Sequence, residues 1–171
     1  MKNLLGIFIF FTCLIACKEA NTSKNQPFQD FDTNRPFTIK KFVDGDTFWV
    51  NDGTEDGRKI RLIGIDAPES YTVWDVEEEP FGKESAVYIK QLIGNQPIRL
   101  RFDVEKRDRY NRILAYAFLE DGTFINLKMV EDGYAVPLTI PPNVKHADEF
   151  QQAQKRARAN RQGMWNESTT P

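Results

Sequence analysis

Phe37-Thr38-Ile39-Lys40-Lys41-Phe42-Val43-Asp44-Gly45-Asp46-Thr47-Phe48-Trp49-Val50-Asn51 is the stretch whose reading decides the fold. Two β-rich runs, Phe37–Val43 and Thr47–Asn51, flank the turn pair Asp44-Gly45, which marks a hairpin. A second turn, Asp52-Gly53-Thr54-Glu55-Asp56-Gly57, leads into a third strand, Lys59–Ile65. Further on, Pro97–Asp103 alternates, with Ile98, Leu100 and Phe102 on one face and Arg99 and Arg101 on the other. Ile113–Leu119 is the fifth strand, followed by the turn Asp121-Gly122. Between and after the strands stand three helical patterns. Phe81–Ile93 carries Ala86, Ile89, Leu92 and Ile93 and stops at Gly94; Asn126–Glu131 stops at Gly133; His146–Arg161 ends before Gly163. Five modest strands with small helices predict an α+β domain built on a five-stranded OB-type barrel with three α-helices. Strand period alone would also suit a sandwich.

Composition narrows the chemistry. The chain has 171 residues, 23 Lys plus Arg, 25 Asp plus Glu, one His and two Cys. Such a length supports one domain, with or without an appendage. Two Cys exclude a disulfide-stapled scaffold and a Cys-rich zinc module, and one His excludes a multi-His metal site. A net charge of −2 argues against nucleic-acid binding by bulk charge, though not against a local basic site.

The N-terminus reads as a leader. Lys2 precedes an apolar run, Leu4 to Ile15, too short for a membrane span. It closes on Leu14-Ile15-Ala16-Cys17, which resembles a bacterial lipobox. Cleavage after Ala16 makes residues 1–16 a signal peptide and leaves Cys17 as a lipidated N-terminus. Loss of Lys2 then takes the formal charge from −2 to −3. Residues 17–36 form a polar tether, 37–165 the folded domain and 166–171 a frayed tail. Lys18-Glu19 after the lipidated Cys resembles acidic-flanked surface-export signals. A membrane-anchored cell-envelope lipoprotein is the expectation, at the outer membrane or cell surface in a diderm host.

Charged groups interrupt apolar strand neighbourhoods at defined places. Asp44 and Asp46 surround the first turn, Arg61 sits inside Lys59–Ile65, Asp66-Ala67-Pro68-Glu69 follows that strand at once, and Arg112 precedes Ile113. Such groups are costly to bury unless paired or ligated. Two Asp from adjacent strand ends can hold a hard cation, two Arg can fork onto a phosphate, and a Glu can orient or deprotonate a water. Together they describe metal-assisted phosphodiester hydrolysis. An EF-hand at Asp44 is excluded, because Phe48 and Trp49 occupy the fifth and sixth loop positions.

Val43-Asp44-Gly45-Asp46-Thr47, Arg61-Leu62-Ile63-Gly64-Ile65-Asp66-Ala67-Pro68-Glu69 and Asp108-Arg109-Tyr110-Asn111-Arg112 occur in order. With Pro80–Ala86 and Gly163-Met164-Trp165, they resemble the staphylococcal nuclease (thermonuclease-like) family from Phe37 to Trp165. The resemblance implies Asp46 and Asp66 as carboxylate ligands of a catalytic Ca²⁺ and the main-chain carbonyl of Ala67 as a third ligand. Asp44 becomes a nearby supporting acid and Glu69 the general base or water-positioner. Arg61 and Arg112 become the phosphate-binding arginines, with Arg109 and Tyr110 near the terminal phosphate of a bound nucleotide. It also implies DNA and RNA as substrates, 3′-phosphate products and a monomer. The alternative is a catalytically inactive OB-fold nucleic-acid-binding lipoprotein.

His146 reads as a helix-start residue, and Lys155, Arg156, Arg158 and Arg161 as a solvated helix face. Two departures from the family stand out. Val136–Asn143 carries no aromatic where the founding member has pocket tyrosines, and the loop Asp75–Glu79 is acidic where that member carries lysine. Weaker binding of small nucleotides is the expectation.

Overall fold

The computed structural model describes residues 31–70 and 80–166. The hairpin forms as read. β1 (Ile39–Phe42) pairs antiparallel with β2 (Thr47–Val50), and the amides of Val43 and Asp44 both donate to the Thr47 carbonyl across the turn. β2 pairs antiparallel with β3 (Arg58–Leu62). The connecting loop is the expected hairpin turn: Asp52 accepts from the Thr54 amide at 3.0 Å and from Arg58 Nε at 2.7 Å.

The predicted third strand does not run unbroken to Ile65. It stops at Leu62 and turns at Ile63-Gly64, where Gly64 takes φ +81°. The chain resumes as β4 (Ile65–Asp66), which pairs with β7 (Val136–Pro137) in a separate two-stranded sheet. The break has two tertiary causes. A Cβ at Gly64 would lie 2.3 Å from the Phe150 ring, so the third helix needs the glycine there. Buried Asn126 donates Nδ2 to the Ile63 carbonyl and accepts the Ala117 amide, each at 2.9 Å, satisfying polar groups that the ladder no longer serves.

β6 (Ile113–Leu119) lies parallel to β3 and antiparallel to β5 (Ile98–Arg101), giving the order β1-β2-β3-β6-β5. The edges meet where Phe37 and Ile98 exchange two 2.8 Å backbone bonds. The five strands thus close into the OB-like barrel. β5 keeps its alternation, with Ile98 and Leu100 buried and both arginines outside.

Three α-helices pack on the barrel, as expected. α1 (Gly82–Ile93) buries Ser85, Ile89 and Ile93; α2 (Ile125–Glu131) buries Ile125, Asn126, Met129 and Val130; α3 (Ala147–Ala159) buries the stripe Phe150, Ala153, Ala157. Arg156 on α3 pairs with Glu131 on α2 at 3.0 Å, while Lys155 and Arg158 are exposed, as the solvated-face reading expects. A short 3₁₀ helix, Gly163–Trp165, follows. His146 precedes α3 and packs edge-on against Tyr116.

Phe31, within the segment read as tether, packs against the domain at Phe37. The two rings stack at 4.8 Å, and Phe31 also meets Phe102. One aromatic in a polar segment carries no period that would reveal this. Cys17, the tether before Phe31 and the acidic loop Asp75–Glu79 lie outside the described residues. Among the described residues no helix is long and apolar enough to cross a membrane.

Candidate active site

The site is assembled where β1–β2, β3 and β4 meet. The first turn folds on itself: Asp44 Oδ1 accepts the Asp46 amide at 3.0 Å, an Asx-type turn. The turn is then tied to the next strand through the Leu62 amide, which donates to the Asp46 carbonyl at 2.9 Å. Asp46 is 4% exposed, and its carboxylate is well supplied with donors. Thr47 Oγ1 donates to Oδ1 at 2.9 Å, and the Ala67 amide donates to Oδ2 at 2.8 Å. That last bond joins residues 21 apart in sequence and carries the start of the Ala67–Glu69 segment to the turn.

Arg61 lies between the two carboxylates predicted as metal ligands. Its Nη1 forms an ion pair with Asp46 Oδ2, and its Nη2 donates to Asp66 Oδ1 at 2.7 Å. The guanidinium is nearly buried, whereas the Asp66 side chain is half exposed. Burial pushes the Asp46 carboxyl up from 3.8 to about 8; Arg61 opposes that shift and the neighbouring Asp44 adds to it.

A cleft of about 460 Å³ opens on the other side of Arg61. Arg61, Arg109, Tyr110 and Arg112 line it, so it gathers all four residues predicted to meet phosphate or nucleotide. The Asp108–Arg112 turn is self-contained. Asp108 Oδ1 accepts the amides of Tyr110 and Arg112, each at 2.9 Å, and its Oδ2 accepts Arg112 Nε at 2.6 Å. Asn111 takes the left-handed φ of +63° that closes the turn. Arg109 donates from Nη2 to the Tyr110 hydroxyl at 2.7 Å and lies over its ring, with Arg112 5.5 Å from the same ring centroid. Arg61 is therefore common to two subsites, the carboxylate pair and the basic cleft.

The donor set suits a hard cation. Asp46 and Asp66 offer only oxygen, the donor type a hard cation takes, and here the Arg61 guanidinium bridges them. Among the described residues no three Asp, Glu, His or Cys side chains converge closely enough to cage an ion unaided. Glu69 is half-buried just beyond β4, and its backbone lies against Gly82 at the start of α1.

Comparison with known proteins agrees with this geometry. The family model described as Staphylococcal nuclease homologue matches residues 59–167. The chain belongs to the staphylococcal nuclease family. It is 32% identical over 167 residues to a thermonuclease of Staphylococcus intermedius, covering 96% of this chain and 98% of that one. It is 30% identical over 170 residues to a thermonuclease of Staphylococcus hyicus, with the same coverage. Endonuclease YhcR of Bacillus subtilis is 32% identical over 137 residues, covering 76% of this chain and 11% of that protein. The protein is a nuclease, a hydrolase acting on nucleic acid.

Sequence reasoning assigned this nuclease no role for Asp108, Leu138 or Ile140. Asp108 anchors Arg112, and the signal was available, since an Asp four residues before an Arg can reach it within one turn. Leu138 and Ile140 line the cleft as exposed aliphatic side chains. The pairing of β4 with β7 and the bond from the Leu138 amide to the Gly64 carbonyl at 2.9 Å bring that segment there. The family resemblance places Val136–Asn143 at the nucleotide pocket, but no local pattern in it announces β4 as its partner.

Proposed function

We propose that this nuclease is a Ca²⁺-dependent, extracytoplasmic enzyme that hydrolyses phosphodiester bonds in DNA and RNA and leaves 3′-phosphate ends. The observation that carries the reading is Arg61, held by Asp46 and Asp66 on one side and lining the Arg109–Tyr110–Arg112 cleft on the other. Asp46 and Asp66 would hold the cation, with the Ala67 carbonyl as a third ligand and Asp44 bracing the turn. When bound, Ca²⁺ supplies Lewis-acid polarisation of a phosphoryl oxygen.

The chain's own groups do the rest. Arg112, fixed through Nε by Asp108, has its remaining N–H groups for phosphate oxygens. Arg61 trades carboxylate oxygens for phosphate oxygens when substrate enters, which couples phosphate binding to release of the carboxylate pair. Both arginines then oppose negative charge developing on the phosphate; one such donor is worth about 10²–10³ in rate. Glu69 orients the attacking water or takes its proton. Water adds to phosphorus as its proton is lost, the bond to the 5′ oxygen breaks, that oxygen takes up a proton and leaves as a 5′ hydroxyl, and the phosphate stays on the 3′ side. Arg109 and Tyr110 meet the terminal phosphate.

The test is digestion of DNA and of RNA by the purified protein with Ca²⁺, with Mg²⁺ and with chelator, followed by end-group analysis. Ca²⁺-supported cleavage with 3′-phosphate ends is expected, and full activity in chelator would overturn the mechanism. The same proposal places the monomeric enzyme at the cell envelope through lipidated Cys17. Cys17→Ser should release the protein from membranes or block its maturation. An unmodified mature N-terminus by mass spectrometry would refute the anchor.

A further inference from the structure

We propose that the first turn of α1, acting through Gly82 and Ser85, is the device that positions Glu69 for the reaction. The inference rests on the reading of Glu69 as the residue that orients or deprotonates the attacking water.

Gly82 opens α1 and is buried. A Cβ at this position would lie 1.9 Å from the Glu69 carbonyl oxygen, 2.5 Å from its carbon and 2.9 Å from the Ser70 Cα. All three atoms are backbone, so none can rotate aside. Gly82 is not among the positive-φ glycines. Its conformation therefore suits any residue, and helix propensity alone would favour Ala. What demands glycine is contact between the helix and the backbone that carries Glu69.

One turn further along, Ser85 serves the neighbouring loop. It is fully buried, and its hydroxyl donates to the Tyr134 carbonyl at 2.6 Å. A Cβ on Gly45 would fall 2.0 Å from that hydroxyl oxygen and 2.7 Å from the Ala67 Cβ. The same turn of helix thus touches the Asp44–Asp46 turn through Ser85 and the Glu69–Ser70 backbone through Gly82. The helix is braced from behind. Phe81 stacks on Tyr134 at 5.2 Å, and Tyr134 stacks on Tyr88 at 4.0 Å. A rigid element held on one side and pressed against two site loops on the other fixes their separation. Gly82 is a positioning residue, because it acts through the Glu69 backbone and not on substrate, and Ser85 keeps the same turn of helix in place against the Asp44–Asp46 turn.

A double-mutant cycle on the full protein tests this, using Gly82→Ala, Glu69→Gln and the pair. Gly82→Ala should lower kcat by about 10²-fold, the scale of a displacement near 1 Å in a catalytic group. Ca²⁺ affinity and the affinity for a nucleoside 3′,5′-bisphosphate, both measured by calorimetry, should be unchanged. In the Glu69→Gln background the same substitution should add little. Full additivity, or a parallel fall in Ca²⁺ and bisphosphate binding, would overturn the inference while leaving Glu69's role intact. Wild-type kcat in Glu69→Gln alone would show instead that the reading of Glu69 has failed, and the inference with it. Should circular dichroism show Gly82→Ala unfolded, Ser85→Ala takes its place in the cycle. It removes the bond to Tyr134 and adds no bulk. A fall in kcat that vanishes with Glu69→Gln supports the proposal, and unchanged kcat overturns it.

Discussion

Arg61 and Arg112 line one cleft but are held in opposite ways. Arg112 is fixed by its own turn: Asp108, four residues earlier, takes its Nε and its amide. Arg61 is fixed by carboxylates from two other segments, Asp46 on β2's leading turn and Asp66 on β4. On the proposed reading the local arginine can meet phosphate without giving up its anchor, because Asp108 takes only its amide and Nε. The long-range arginine has committed Nη1 and Nη2 to the carboxylates. The proposed mechanism thus gives one site a preset clamp and an exchangeable one.

The comparison breaks most decisively at the carboxylates. Asp46→Ala or Asp66→Ala should abolish turnover, since on the proposed mechanism each deletes an oxygen ligand of the cation. The two should differ in stability. Buried Asp46 supports Thr47, Ala67 and Arg61, whereas Asp66 is half exposed. Thermal melts of the two variants without cation should place Asp46→Ala clearly lower. Equal melting points would mean that Asp46 does not organise the turn.

At the arginines the expected effect is about 10²-fold for Arg112→Lys, because an ammonium cannot reproduce the planar fork. Asp108→Ala should show a smaller fall in kcat with the same substrate pattern, as Arg112 loses its anchor. Wild-type kcat in Arg112→Lys would make that arginine structural. Arg61→Lys should lose rate as well. It should also weaken the dependence of Ca²⁺ affinity on added bisphosphate, which Arg112→Lys should leave in place.

Proton linkage sharpens the contrast further. The Asp46 carboxyl is raised by burial to about 8, so the folded protein binds a proton there that the unfolded chain has already released. Its contribution thus lowers stability as pH rises from about 4 towards 8 and is level above that. A cation needs the ionised form and must expel the proton below pH 8. Ca²⁺ affinity should rise with pH across 6 to 8, by up to about tenfold per unit for one proton released. Calorimetry in buffers of different ionisation enthalpy measures that proton directly. A flat affinity would show Asp46 already ionised by Arg61.

The smallest change concerns the apolar side of the cleft. Ile140 is exposed in the cleft, within the stretch Val136–Asn143, which carries no aromatic where the family resemblance implies pocket tyrosines. Ile140→Tyr should tighten bisphosphate binding about fivefold, the lower end of base stacking at ~1 kcal/mol. It should leave Ca²⁺ affinity untouched. Titration of the bisphosphate against the Ca²⁺-loaded protein decides it, and no gain would mean that Leu138 and Ile140 already serve as the base platform.

What the sequence determined by itself is whatever depends on near neighbours. The hairpin around Asp44-Gly45, the alternation of β5, the three helical stripes and the Asp108–Arg112 turn are written in residues a few places apart. There, period and turn chemistry suffice. The ordered motifs also named the charged residues of the site. The tertiary structure alone decided how those residues are spent. Asp46 reaches Ala67 and Arg61 only once β2, β3 and β4 are side by side. Gly64 breaks the third strand because Phe150 needs the space, and Leu138 reaches the cleft because β7 pairs with β4. Gly82 must be glycine because distant backbone presses on it. Each of these is a contact between segments far apart in the chain, and such contacts are set by close packing, which leaves no periodic signal in either segment.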